Sequence, residues 1–179
     1  MEIEKVQVIH KTPHLFLNCS HYSDKNGRGR VWFWVERPHK THAVMIAAMH
    51  GKKLVVIKEY RVPDNCYIWS FPAGLVEHNE DAEKAAEREM LEETGLTIVD
   101  YIRSTSPMVY TSPGITNEKI SMVFAKVEGV PDDSLLEESE DISVHLMSRT
   151  EVASLLQRNN QIDSKAYLVM LRYVEDGKI

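Results

Sequence analysis

The sequence has little of what would tie this chain to an oxidising compartment, a membrane or nucleic acid. Its 179 residues include two cysteines, Cys19 and Cys66, so no disulfide framework is expected and a cytoplasmic location is the default. No apolar run approaches the roughly 18 residues of a membrane span, and the N-terminus lacks the apolar segment of a signal peptide. Lys and Arg number 21 against 27 Asp and Glu, a net charge of −6. This balance argues against nucleic acid as the main partner.

Two common signatures of enzymes are also missing. The eight histidines form no HExxH motif, and the two cysteines lack the spacing of zinc ligands. The "GRGR" at residues 27–30 lies between two predicted strands, whereas a dinucleotide fingerprint lies between a strand and a helix. A zinc hydrolase and a dinucleotide-binding enzyme are therefore not favoured.

What is present is the composition and patterning of a globular α/β protein. The hydrophobic fraction is 43% and the charged fraction 27%, both ordinary values. Alternating apolar residues predict two hairpins, which turn at the Asn-Gly of "DKNGRG" and at "HG" of residues 50–51. Further strands follow, and the pattern predicts a sandwich with a mixed sheet. The turn near Pro38 is the best boundary between a β subdomain (1–38) and the main domain (39–179).

Three helices are predicted. The central one runs from about Glu80 to Thr94, with Asn79 as its N-cap and Gly95 at its C-cap position. A short helix opens with the capping-box pattern "SRTE", and "SKAYLVMLRYVED" forms a final amphipathic helix.

The central helix carries acidic residues where apolar ones are expected. At 100° per residue, Glu89 and Glu93 continue the stripe formed by the alanines of the first half of the helix. An unpaired buried carboxylate is costly, and the C-terminus of a helix adds the negative end of its dipole. Either the helix is solvated and Arg88 pairs with Glu92, or the three carboxylates hold a hard divalent cation.

The wider spacing favours the cation. From Gly74 the chain reads glycine, five residues, Glu80, seven residues and then "REMLEETGL" at residues 88–96. This resembles the Nudix box, GX5EX7REUXEEXGU with U apolar, at every defined position. Its seven fixed letters, at roughly 7% usage each, coincide by chance about once in 10⁸ starting points. Nudix proteins are α/β/α sandwiches that hydrolyse a nucleoside diphosphate linked to another group, with the help of divalent metals.

The resemblance implies a role for each residue of the box. Glu89, Glu93 and the backbone carbonyl of Ala73 are implied metal ligands, and Glu92 is a nearby catalytic helper or a further ligand. Leu75 lies beside the substrate. The implied cofactor is Mg²⁺, with Mn²⁺ possible.

Four further residues of the box have implied structural roles. Glu80 and Arg88 form an ion pair that fixes the box. Gly74 and Gly95 permit the tight backbone at its two ends.

Outside the box, the chain is similar to the branch of ADP-ribose and nucleoside-diphosphate-sugar pyrophosphatases. "SPGITNE" at residues 112–118 is typical of that branch, where Ser112 and Glu118 help to hold the substrate; an ordinary Pro-Gly turn is the alternative. Arg61 of "KEYR" matches an arginine that contacts the substrate phosphate, and a surface ion pair is its alternative.

An acidic loop, "EESED" at residues 137–141, supplies the remaining implied groups. Alignment with the branch makes Glu138 the general base and Glu140 a metal ligand. Glu137 and Asp141 are close enough in sequence that the base could be either of them. A solvated acidic loop is the alternative.

The resemblance to the branch also implies a homodimer, built through the N-terminal strands. In the branch, residues of an N-terminal β-domain sandwich the nucleobase bound by the partner subunit, and Trp32, Phe33 and Arg37 are the candidates here. Core packing of the aromatic residues is the alternative; alternation places the indole of Trp34 on the face of Trp32, opposite Phe33.

These observations predict hydrolysis of the diphosphate of a small-molecule nucleotide sugar to a nucleoside monophosphate and a sugar phosphate. ADP-ribose is the favoured substrate. GDP-mannose or a broad range of nucleotide sugars is the alternative, and a non-hydrolytic nucleotide-binding regulator is a less favoured one, because all the box glutamates are retained.

Overall fold

The computed structural model describes residues 1–38, 42–158 and 161–179, which form two sheets, three α-helices and a short 3-10 helix (Val62–Asp64). The strands are β1 (Glu2–Lys11), β2 (Phe16–Ser23), β3 (Gly29–Glu36), β4 (His42–His50), β5 (Lys53–Arg61), β6 (Cys66–Ser70), β7 (Ala73–Leu75), β8 (Thr97–Arg103), β9 (Val109–Tyr110), β10 (Lys119–Glu128) and β11 (Ile142–Met147). The helices are α1 (Ala82–Thr94), α2 (Arg149–Gln157) and α3 (Ser164–Asp176). In this part of the chain, no helix is both long and apolar enough to cross a membrane.

The larger sheet is mixed, as predicted. Its strand order is β11-β5-β4-β10-β8, with β6 on β5, β7 on β4 and β9 on β10. β4 and β10 are parallel, and the other neighbours are antiparallel. β4 and β5 pair only beside their connecting turn and then separate, so that β6 and β7 pair with the freed edges. This separation opens a wedge in the sheet, and β7 of the box lies in it.

Two apolar cores cover the two faces of this sheet, which confirms the α/β/α sandwich. On one face, alanines and Met90 of α1 pack on β4, β5 and β10. On the other face, α2 and α3 pack on the same three strands around the fully buried ring of Phe71. The small side chains Ala85 and Ala86 let the backbone of α1 come close to the sheet. That close approach brings the end of α1 to the wedge.

The N-terminal sheet is a small antiparallel extension with the order β1-β2-β3. It contacts the main sheet through the loop before β10, where the amide of Val35 donates to the carbonyl of Ile115 (2.8 Å). β1 was not predicted as a strand, because two register shifts break its alternation. The division into residues 1–38 and 39–179 stays a prediction, since residues 39–41 at this boundary lie outside the described residues.

The ends of α1 correct one prediction and confirm another. Asn79 is not the N-cap: its φ of 67° places it in a turn, and the side chain of Asp81 caps the helix by accepting the amide of Lys84 at 2.9 Å. Gly95 is the C-cap residue, with a φ of 70° that favours glycine. The predicted capping box at the start of α2 is also present.

Candidate active site

Glu89 and Glu93 point from α1 into the wedge. A Cβ atom added to Gly74 would lie 1.9 Å from Oε1 of Glu89, so only glycine allows this carboxylate to lie against β7. One turn further on, Glu93 is 4% exposed, and its Oε2 accepts the amide of Ala73 at 3.3 Å. The alternative of a solvated helix therefore fails for both residues.

Arg88 forms ion pairs and hydrogen bonds with several other residues of the box. Its Nη2 lies 3.1 Å from Oε2 of Glu80, which confirms the predicted ion pair, and it also donates to the carbonyl of Leu75 (3.0 Å). Nη1 lies 2.6 Å from Oε1 of Glu89 and 3.1 Å from Oε2 of Glu92. These carboxylates raise the pKa of the guanidinium further above its ordinary value. The box therefore has one cation bonded to three acidic side chains.

The inward-facing carboxylates have raised pKa values. Burial is the largest cause of the raised pKa of Glu89. Burial also raises the pKa of Glu93 well above its ordinary value, and the negative charges of Glu89, Glu59 and Glu140 add to that effect. A site in which several carboxylates oppose one another's ionisation is suited to a bound cation.

The acidic loop lies across the wedge from α1. A cavity of about 330 Å³ is lined by Glu89 and Glu92 on one side and by Glu137 and Glu140 on the other. An adjoining acidic cavity, of about 140 Å³, is lined by Glu93, Glu140 and other residues. The fold thus brings the box glutamates and Glu140 together. Within the described ranges, however, no set of three or more His, Cys, Asp or Glu side chains already converges as metal ligands.

Glu138, the predicted base, is exposed and lines neither of these cavities. Glu137, which the sequence left open, does line the first one. Asp141 lines the second and accepts a hydrogen bond from the hydroxyl of Tyr67 at 2.5 Å. The position of Glu138 does not favour it over its two neighbours.

A third cavity, of about 310 Å³, continues from β7 to the N-terminus of α3, and we call it the substrate cavity. Arg37 and Glu118 line it and form an ion pair (Nε–Oε2, 3.1 Å). Arg61 lines it as well, and its Nη2 lies 2.7 Å from Oε1 of Glu59. Residues 73–75 of the box also line it. Most of the predicted substrate-binding residues therefore surround one space.

Three predicted substrate-binding residues lie outside that space. Trp32 is 52% exposed, and its indole N–H donates to the carbonyl of Gly114 (3.0 Å). Phe33 is 58% exposed, on the opposite face of β3. Ser112 is exposed at the start of its loop, where its carbonyl accepts the amide of Thr116 at 2.9 Å. Trp32 and Phe33 are not packed in the core of this chain, and their predicted contact with a nucleobase stays a prediction.

The sequence did not predict three charged residues of the substrate cavity, which are Glu59, Asp163 and Lys165. Asp163 caps α3 and pairs with Lys165 (Oδ2–Nζ, 2.7 Å). Glu59 could have been found by the signal that identified the box glutamates, because it takes a core position in the buried strand "LVVIKE". An Asp before a helix has no such signal, since it reads as an ordinary cap.

Comparison with known proteins identifies the family to which this chain is similar. The model of the NUDIX domain matches residues 37–169. The ADP-sugar pyrophosphatase of Mus musculus is 31% identical over 117 residues, which cover 60% of this chain and 53% of the mouse protein. The ADP-ribose pyrophosphatase of Saccharomyces cerevisiae is 30% identical over 163 residues, 80% of this chain and 70% of the yeast protein.

A solved structure shares the fold. The crystal structure of an ADP compounds hydrolase superimposes with a TM-score of 0.81, over 98% of this chain and 94% of the other, at 22% identity. The chain spans little more than half the length of the first curated relatives that it matches, such as the mouse protein at 53%. Because the family model covers most of the chain and the box geometry agrees with it, this protein belongs to the Nudix family.

Proposed function

We propose that this protein hydrolyses the diphosphate of a nucleoside diphosphate sugar, with ADP-ribose as the favoured substrate. The observation that carries the proposal is the inward position of Glu89 and Glu93, which lie against β7 between the acidic loop and the substrate cavity. A diphosphate resists attack by water because its oxygens are negative. A site that hydrolyses it has to neutralise those oxygens and orient a water molecule.

The donor atoms fit a hard divalent cation. Glu89, Glu93 and Glu140 offer only oxygen atoms, which Mg²⁺ and Mn²⁺ prefer. The carbonyl of Ala73 lies on the same stretch of β7 and would be a further ligand. Nudix hydrolases generally depend on divalent metals, and Mg²⁺ is the ion that we propose here. When bound, it would neutralise phosphate oxygens and lower the pKa of a water molecule.

The side chains of the chain itself supply the remaining functions. Arg61 and Arg37 line the substrate cavity, and their guanidinium groups suit the oxygens of a diphosphate. Arg88 keeps the box glutamates in place through its four partners. A carboxylate of the loop at residues 137–141 would accept the proton of the attacking water. Glu138 remains the predicted base, and each of its open alternatives, Glu137 and Asp141, lines one of the two cavities beside the box.

The substrate assignment follows the relatives and the cavity. The mouse and yeast relatives are described as ADP-sugar and ADP-ribose pyrophosphatases. GDP-mannose remains the main alternative substrate. We also keep the predicted homodimer, in which Trp32 and Phe33 of one subunit would contact the nucleobase bound by its partner. Their exposure in the single chain supports that arrangement.

A panel of nucleotide sugars with Mg²⁺ tests the proposal. We expect ADP-ribose to give AMP and ribose 5-phosphate, and Glu93→Gln to lower turnover at least about 100-fold, since even groups behind the ligands of a metal are worth 10- to 100-fold. Glu87→Gln is the matched control, because Glu87 is on the exposed face of the same helix. Nucleotide sugar binding without hydrolysis by wild type would favour the regulator, and full turnover by Glu93→Gln would refute the role of this residue.

A further inference from the structure

Glu59 is a buried carboxylate to which the box assigns no role. Along β5, Val55, Ile57 and Glu59 share one face of the strand. Val55 packs in the core beneath α1, so the side chain of Glu59 lies on the same side of the sheet as α1. It is 8% exposed. A carboxylate that continues an apolar face is costly unless another group compensates its charge.

Glu59 lies where the substrate cavity meets the acidic cavity. It lines both of them, as do Arg61 and Ala73. The acidic cavity also includes Glu93 and Glu140. Glu59 therefore shares a cavity with two of the proposed cation ligands.

The compensating charge is the guanidinium of Arg61. Nη2 of Arg61 lies 2.7 Å from Oε1 of Glu59, and the arginine side chain is 53% exposed whereas that of Glu59 is 10% exposed. A buried carboxylate is therefore neutralised by a group that reaches in from the cavity. The same guanidinium is the one that we expect to bind the diphosphate, and a phosphate competes with a carboxylate for its N–H groups.

We propose that Glu59 is a further cation-binding carboxylate of this site, and that Arg61 neutralises it until a diphosphate engages the guanidinium. This inference rests on the proposed function and extends it. Binding of the diphosphate weakens the Arg61–Glu59 pair and makes the charge of Glu59 available to a divalent cation beside Glu93. Diphosphate and cation therefore strengthen each other's binding, in addition to any direct contact between them. The simpler alternative is that Glu59 only orients Arg61.

Mn²⁺ binding to the protein without substrate tests the first half of this inference. Free Mn²⁺ is followed by its electron paramagnetic resonance signal at pH 8. Arg61→Ala should tighten Mn²⁺ binding about fivefold or more, a typical coupling between sites, because Glu59 is no longer neutralised. The double variant with Glu59→Gln should lose this gain. Arg30→Ala, which removes an exposed pair with Asp24, should change nothing.

The sign of this effect separates it from structural damage. A disrupted site binds Mn²⁺ more weakly, whereas the inference requires tighter binding in Arg61→Ala. Unchanged or weaker binding in that variant overturns it.

The second half requires a diphosphate that is not cleaved, such as the α,β-methylene analogue of ADP-ribose. The analogue should tighten Mn²⁺ binding to wild type, and Glu59→Gln should lose at least fivefold of that tightening. Glu128→Gln, at an exposed position of β10, should retain it. Weaker analogue binding with unchanged Mn²⁺ affinity in the Glu59→Gln complex would mean that Glu59 only orients Arg61, which overturns the inference.

Failure of the proposed function has a different signature. If wild type hydrolyses no nucleotide sugar but Arg61→Ala still tightens Mn²⁺ binding through Glu59, the proposed reaction is wrong and the cation-binding role of Glu59 stands.

Discussion

Replacing Glu93 with glutamine should stabilise the metal-free protein even though we expect it to lower turnover. Glu93 is 4% exposed, and the backbone amide of Ala73 donates a hydrogen bond to its Oε2 at 3.3 Å. Burial and the neighbouring carboxylates raise the pKa of Glu93 well above its ordinary value. The folded state therefore binds a proton at this position more tightly than the unfolded state does. The contribution of Glu93 to stability is greatest at low pH and is lost as the pH rises through its folded-state pKa.

The size of the effect follows from that environment. Glutamine has the same shape and keeps an oxygen for the amide of Ala73, but it carries no charge. An inadequately paired buried polar group costs about 1–3 kcal/mol, and we expect Glu93→Gln to recover about 1–2 kcal/mol at pH 8. In a chain of this length this corresponds to a rise in Tm of roughly 2–8 °C. The difference should shrink toward pH 5, where more of the wild-type carboxyl is protonated.

Thermal unfolding in EDTA, followed by circular dichroism between pH 5 and pH 8, measures this difference. Added Mg²⁺ should reverse the order of the two proteins at pH 8, because wild type gains a ligand that binds the folded state and the variant gains less. Glu87→Gln, on the exposed face of α1, is the control and should follow wild type throughout. A metal-free Glu93→Gln protein that melts below wild type at pH 8 would refute the reasoning.

Three further changes test other parts of the site. Gly74→Ala places a Cβ against the carboxylate of Glu89 and should lower kcat about 100-fold by displacing that carboxylate. Gly29→Ala is the control, because nothing lies within 4 Å of a Cβ at that position. Equal activity of the two variants would contradict this account. Arg88→Ala removes the cation shared by three carboxylates and should cost about 2–3 kcal/mol in urea unfolding, less than a fully buried pair because Arg88 is partly exposed. Mg²⁺ should restore part of that loss, and an equal loss with and without Mg²⁺ would argue against a cation site beside the box. Sedimentation of the wild-type protein should give twice the chain mass. Trp32→Ala should raise KM about tenfold with little change in kcat, as expected for loss of an aromatic contact. A monomer with unchanged KM would count against the predicted role of Trp32.

The regular parts of the fold were predictable because their signals are local. The hairpin turns, the capping box of α2 and the glycine cap of α1 each depend on residues within a few positions of one another. β1 was missed because its alternation is interrupted. The N-cap of α1 was misplaced by two residues, since Asn79 and Asp81 are both good caps and the backbone conformation of Asn79 decides between them.

The site was predictable to the extent that its residues lie in one motif. The resemblance to the box implied Glu80 as the partner of Arg88, and the helical stripe predicted the inward positions of Glu89 and Glu93. Residues from distant strands and loops depend on tertiary contacts that no local pattern specifies. The pairing of Arg37 with Glu118 is one example, because 81 residues separate the two in sequence.

The cost of the buried carboxylates explains why the site lies where the sheet opens. If β4 and β5 paired along their whole length, Glu93 would be buried against a closed sheet with no route to a cation or substrate. Because β4 and β5 separate beyond their turn, the space between them remains open to the substrate cavity and the acidic cavity. α1 reaches this opening because its alanines pack closely on the sheet. The apolar stripe in the first half of α1 stabilises the packing of the helix on the sheet. This stabilisation offsets the cost of burying the carboxylates at the end of the same helix.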